Sequence, residues 1–208
     1  MTSEQRRAPV RWGALPAYER RSPQATASTD DALLVGYAVL YDSPSITLRQ
    51  YDRTFREIIR PGAFDDSLAL GDRIEVRWNH ERHRVVGDNH GGGLRLFPTP
   101  HGIAFAIEPS RSYLGSRLVG AVRREELRMS FRFHCTEHAF EHRGGEMVRV
   151  VKRGRLEDVA PVTSPAYPDT WIAALPSAPE ASRTDATILD WIRLLDIENR
   201  APRYWRTT

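Results

Sequence analysis

An α+β domain that is mostly β, its strands forming a closed or partly closed β-barrel with surrounding helices, is the fold the sequence predicts. Three observations lead there. The apolar runs are short, rich in Val, Ile, Phe and Tyr, and stopped at close intervals by Gly, Pro, Asp and Ser. One interior stretch, around 113–122, carries helical spacing over enough residues for a sizeable helix. Strand-like runs also follow one another without helices between them, which argues against an alternating parallel-sheet architecture.

The elements follow in order. Residues 1–30 are rich in Arg, Ser, Thr, Pro and Ala without a sustained apolar period, and are expected to form a flexible arm because they cannot offset the entropy of ordering. The run 33–41, LLVGYAVLY, reads as a buried strand stopped by Asp42-Ser43-Pro44. A second strand covers 55–59, closed by Pro61-Gly62, and 64–68 reads as a short helix. Strands are expected at 74–78, 84–86, 94–97 and 102–108; in the last, Ile103, Phe105 and Ile107 alternate with alanines. Tyr113, Leu114, Leu118, Val119 and Val122 then mark a helix with Ser112 as its N-cap. Beyond it, 127–135 and 147–151 look like strands of a hairpin turning at Gly144-Gly145, and 156–162 and 171–174 add two more. The main domain is thus expected over 31–175. Residues 176–208 form a linker and tail, in which the Pro/Ala/Ser-rich stretch 175–187 precedes an amphipathic helix lined by Ile188, Leu189, Ile192, Leu195 and Ile197, with Trp191 on its flank.

Composition narrows the function classes. A chain of 208 residues with 40% hydrophobic and 27% charged residues can bury a core. Its mean hydropathy of -0.50 and the lack of any apolar run near the ~20 residues of a membrane span predict a protein without a membrane partner. Arg6-Arg7 lacks the apolar segment of an export signal, so the chain reads as unsecreted. The single cysteine, Cys135, excludes an internal disulfide framework and suits a reducing cytosol. The formal charge of +3 comes from arginines spread along the chain among Asp and Glu, so no direct nucleic-acid binding is expected.

Groups able to do chemistry stand at the ends of apolar strands in three places. The first is Val76-Arg77-Trp78-Asn79-His80, where a strand delivers an imidazole to a turn; there it can take and return a proton near neutrality. The second is Met129-Ser130-Phe131-Arg132-Phe133, where alternation puts Ser130, Arg132 and His134 on one face and Met129, Phe131 and Phe133 on the core side. A hydroxyl becomes a nucleophile only with a base beside it. The third is 156–168, in which Glu157 and Asp158 point to opposite faces, so one of them at most can orient a catalytic histidine. Each has a bland alternative: a structural histidine, an inert serine, solvated strand charges.

Taken in order, these segments resemble the prohead maturation proteases of HK97-type phages, a family related to the herpesvirus assemblin proteases. The resemblance spans 33–174 and is carried by Gly36-Tyr37-Ala38, Arg60-Pro61-Gly62-Ala63-Phe64, Asn79-His80, Met129-Ser130-Phe131 with Phe133, and Pro161-Val162-Thr163 to Pro165-Ala166-Tyr167-Pro168. It implies a herpesvirus-protease-like fold and a serine endopeptidase needing no cofactor or metal, with His80 as base, Ser130 as nucleophile and Asp158 at the acid position. Glu157 is the alternative acid, and because herpesvirus relatives use a second histidine, His134 and His138 remain alternatives as well. The implied substrate is the major capsid protein or its scaffold segment, inside the assembling prohead in the cytoplasm of the bacterial host. A homodimer or higher oligomer is compatible with the resemblance. The chain departs from the family pattern at Arg128 and Arg132, where relatives often carry glycine, and at Ala160, where serine is usual. Those departures make a catalytically inactive module that binds scaffold or capsid protein the main alternative. The exposed linker at 175–187 suggests cleavage of the chain by itself.

Other chemistries fit less well. His80, His83 and His90, and His134, Cys135, His138 and His142, form two loose groups of ligand-capable residues, but His80-Glu81-Arg82-His83 is one residue short of the His-Glu-x-x-His motif. Cys135 lies in the register of Phe131 and Phe133, where a thiol behaves as a small hydrophobe. Gly91-Gly92-Gly93 precedes a strand and not a helix, so it reads as a loop and not as a phosphate cradle.

Overall fold

The computed structural model describes residues 32–175 and 183–200. The arm expected at 1–30 lies outside them, as do residues 176–182 of the linker and 201–208 of the tail. In chain order the elements are β1 (Leu33–Leu40), β2 (Leu48–Gln50), β3 (Arg53–Ile59), α1 (Asp65–Ala69), β4 (Glu75–Arg77), β5 (Val85–Asp88), β6 (Leu94–Thr99), β7 (Gly102–Ile107), α2 (Tyr113–Arg123), β8 (Arg128–Arg143), β9 (Glu146–Val162), β10 (Trp171–Leu175) and α3 (Asp185–Arg200).

The fold is mostly β, as the sequence predicts, but the strands lie in two hydrogen-bonded sheets and do not close into a barrel. One sheet is antiparallel, in the order β10-β1-β7-β6. The other runs β2-β3-β9-β4-β5, with β8 also on β9. β9 is 17 residues long. It carries β8 along one edge, which leaves the other for two short parallel strands in succession: β3 at Val148 to Val151 and β4 at Asp158 and Val159. Where the two sheets meet, the Thr170 hydroxyl, just ahead of β10, donates to the Met129 carbonyl of β8. A side chain takes the place of a ladder bond there, and the sheets join through packing.

β1 shows why its sequence is apolar on both faces. Leu34 points into the main core with Ile103, Phe105 and Ile107 of β7, while Leu33, Val35 and Tyr37 point the other way. A register shift between Tyr37 and Val39 reverses the alternation, so that Val39 faces the main core and Leu40 the opposite side. The second face is covered by α3, whose Ile188 and Ile192 are 0% exposed against Leu33, Val35, Ala104, Ala106 and Trp171. The alanines that alternate along β7 form part of the surface on which α3 lies. α3 starts at Asp185, inside the stretch expected as linker, because the Thr184 hydroxyl accepts from the Thr187 N–H and caps the helix. Ser112 likewise caps α2 by accepting from Gly115 N–H.

Two differences from the expected strands have simple causes. The runs 147–151 and 156–162 are one strand, because Lys152, Arg153 and Arg155 between them are exposed and hide the continuity from an apolar count. β2 is a three-residue edge strand without apolar alternation.

Gly36 admits no side chain. A Cβ there would stand 2.1 Å from the Trp171 carbonyl oxygen, a backbone atom held in the β1–β10 ladder. Gly36→Ala is expected to cost about 1–3 kcal/mol, typical of overpacking, in urea unfolding of the full chain.

Candidate active site

Three adjacent strands bring the site together. In the β8–β9 ladder Ser130 lies opposite Ala160, and Arg132 opposite Asp158. Alternate residues share a face, so Asp158 and Ser130 project from the same side as diagonal neighbours. On the other edge of β9, Asp158 is in register with Glu75 of β4. The chain leaves β4 through the turn Trp78–His80, in which Asn79 and His80 both have left-handed backbone, at φ 57° and 59°. Such geometry costs on the order of 1 kcal/mol for a residue with a Cβ, and here two such residues in a row direct the imidazole back over β9. Trp78 N–H donates to the Arg84 carbonyl, 3.0 Å, and closes the β4–β5 hairpin around this turn.

The result is a continuous chain of hydrogen bonds. His80 Nε2 lies 3.0 Å from Ser130 Oγ, and His80 Nδ1 lies 2.5 Å from Asp158 Oδ1. An ionised carboxylate only accepts. Nδ1 therefore carries the proton, and Nε2 is left to accept from the serine hydroxyl. His80 is the most open of the three, its side chain 20% exposed, whereas Ser130 is 7% and Asp158 0% exposed.

Asp158 is not buried unpaired. Arg77 Nη1 reaches its Oδ2 at 3.3 Å, and Arg132 Nη1 stands 3.7 Å from the same oxygen. Arg77 is in turn held by Glu75 Oε2, 2.7 Å from both its Nε and its Nη2. Glu75 and Arg77 were missed in the sequence. The signal available was their i, i+2 spacing on the strand that leads into the His80 turn, which puts both side chains on one face. Arg77 and Arg132 also line an open groove of about 880 Å³ that includes Arg82 and Arg155. The Arg155 guanidinium and the Ser67 hydroxyl beside Asp72 hold that carboxyl below its usual range.

Behind Ser130 the motif residues form a packed wall. Phe131 stacks on Tyr167 at 4.8 Å between ring centroids, and Phe64 meets Phe131 and Phe133 edge-on at 5.9 and 5.3 Å. The Arg60 to Phe64 segment is tied to β9 by Arg60 N–H to Val151 O and by Gly154 N–H to Ala63 O. Tyr167 donates its hydroxyl to buried Glu57, 2.7 Å, and Arg149 lies 3.1 Å from the other Glu57 oxygen. Burial, and secondarily the Glu57 charge, push the Tyr167 phenol up; burial also raises Glu57, against the opposing pull of Tyr167 and Arg149. With its folded pKa raised, Glu57 contributes stability that is full below the unfolded pKa and lost as pH rises through the folded one. Tyr167→Phe removes a donor that the carboxylate needs more than the protonated acid does. Its expected cost is about 1–3 kcal/mol near neutral pH and less near pH ~4, read by thermal unfolding at both.

The remaining candidates lie elsewhere. Glu157 is exposed on the opposite face of β9. Asp158 holds the position beside His80 Nδ1, and neither His134 nor His138 does. His138 instead stands edge-on to Phe140, with Cys135 Sγ 3.7 Å from its Nδ1. His83 pairs with Glu81, and His90 with the Gly71 carbonyl. Among the described residues no three or more of His, Cys, Asp and Glu form a group able to hold a metal ion. Gly91-Gly92-Gly93 is the turn region between β5 and β6.

Comparison with known proteins gives one finding. A search of curated proteins produced no match. The family described as caudovirus prohead serine protease matches residues 17–185, a span that contains all of β1 to β10 and the Ser130, His80 and Asp158 positions. With most of its length matched, the chain belongs to the caudovirus prohead serine protease family.

Proposed function

We propose that this protein is an active serine endopeptidase that cleaves the major capsid protein or its scaffold segment during prohead maturation, in the assembling shell within the host cytoplasm. The observation that carries this reading is the hydrogen-bonded line from Ser130 Oγ through both nitrogens of His80 to buried Asp158. As Ser130 Oγ attacks a substrate carbonyl carbon, His80 Nε2 takes its proton and Asp158 stabilises the imidazolium that forms. The proton then passes to the leaving amine, giving an acyl-enzyme. Water, deprotonated by His80, releases the new carboxyl end and regenerates the serine. Arg128 and Arg132, at positions where relatives often have glycine, leave this line intact: Arg128 turns to the Leu127 carbonyl and Arg132 toward Asp158. That favours an enzyme over an inactive assembly module.

The test is co-expression with the major capsid protein of the same phage genome. Shortened capsid protein is expected with the wild type and full-length capsid protein with Ser130→Ala; full cleavage by Ser130→Ala would overturn the assignment. Self-cleavage within the stretch 175–187 is part of the proposal. Intact mass spectrometry is expected to find a lighter chain in wild type than in Ser130→Ala after incubation at high concentration. Because Ile188 and Ile192 are buried on β1 and β7, the cut helix is expected to stay bound, so native size should not change. Equal masses would speak against self-processing.

A further inference from the structure

We infer that Arg77 is a positioning residue of this site: with Glu75 behind it, its guanidinium fixes Asp158 Oδ2, so that Oδ1 alone serves His80 and the imidazole rests uncharged. The inference rests on the proposed roles of Ser130, His80 and Asp158 and adds to them. Asp158 is fully buried, and an isolated buried carboxylate is costly unless a counter-charge and hydrogen bonds accompany it. Three groups can supply that counter-charge. One is an imidazolium at His80, which could not act as a base. The others are Arg132, 3.7 Å from the second oxygen, and Arg77, 3.3 Å from it. By supplying a permanent cation, Arg77 removes the need for a protonated histidine in the resting state.

The charges around His80 come from each neighbouring strand. β9 provides Asp158; β4 provides Arg77 and Glu75; β8 provides Arg132, whose side chain is 44% exposed and therefore screened by water. β5 provides Asp88, in register with Glu75 and paired to Arg73 at 3.0 Å. The side chain of Arg77 is 21% exposed, so it stands as the less screened cation on Asp158. Glu75 acts in the opposite sense, since it neutralises part of the Arg77 charge. Removing Arg77 should therefore favour the protonated imidazole, and removing the Glu75 charge should disfavour it.

This opposition of sign is the test. His80 is titrated by NMR in the full chain labelled at histidine Cε1, with its resonance assigned through His80→Gln. Fluorophosphonate–rhodamine labelling rates are measured over the same pH range. In Arg77→Met the His80 midpoint is expected to rise by about one pH unit, a tenfold change in proton affinity, and the labelling profile to move with it. In Glu75→Gln both are expected to move down. Arg77→Lys, which keeps the charge and loses the fork, should hold the midpoint near the wild-type value while labelling more slowly on the plateau; Arg77→Gln, which removes the charge, replaces Arg77→Met if that variant does not fold. Midpoints that stay fixed, or that move the same way in Arg77→Met and Glu75→Gln, would overturn the inference. Opposite NMR shifts in the two variants, with a wild-type chain that never labels, would uphold the coupling and refute the proposed catalytic function instead.

Discussion

Ser130→Ala is expected to lower kcat for capsid-protein cleavage about a millionfold, the order found when a serine protease loses its nucleophile. His80→Ala should be about as damaging, and the double variant no worse than either, because the two residues act as one unit. Stability should hardly change. In the folded chain the Ser130 hydroxyl has its hydrogen bond to His80, and with 20% of the His80 side chain open to solvent, water can replace that hydroxyl at Nε2. The expected difference in urea unfolding is within ~1 kcal/mol. A large loss of activity without a loss of fold is the signature that separates a nucleophile from a core serine.

Asp158→Asn is the second large effect, expected at about ten-thousandfold in kcat. An asparagine can present an N–H to His80 Nδ1. The imidazole would then carry its proton on Nε2 and could no longer accept one from Ser130. Shape is conserved, and Arg77 keeps Glu75 as its partner, so folding should survive. Glu157→Gln, one position away on the exposed face of β9, should leave kcat within about threefold of wild type, in keeping with a solvated surface charge. Steady-state kinetics on the purified pair of variants decides which carboxylate belongs to the site. Equal losses in both would refute the placement of Asp158.

The sequence made the local elements legible because each carries its own signal. The apolar run of β1, the alternation of Ile103, Phe105 and Ile107 in β7, and the Ser112 cap of α2 are patterns within a few residues, and all appear where expected. What could not be read locally is long-range pairing. The β8–β9 hairpin turns at Gly144-Gly145 as expected, but that β9 accepts β3 and β4 on its other edge depends on contacts across 80 or more residues, as between Arg77 and Asp158, 81 positions apart. The barrel expectation failed at the same level, since closure depends on how the sheet edges meet and not on any one strand. His80 and Ser130 were reached through motif order. Their side-by-side placement follows from β4 and β8 flanking β9, and the choice of Asp158 over Glu157 from which face of β9 turns inward. Arg77 and Glu75 were legible only in hindsight, because two opposite charges spaced i, i+2 on a strand are commonplace on surfaces.

The most direct test of the Ser130–His80–Asp158 assignment is the site of fluorophosphonate modification, found by peptide mass spectrometry on the purified full-length chain. The adduct is expected on Ser130 Oγ, formed in wild type and absent from His80→Ala over the same exposure. An adduct on any other residue, or undiminished labelling of Ser130 in His80→Ala, would contradict it.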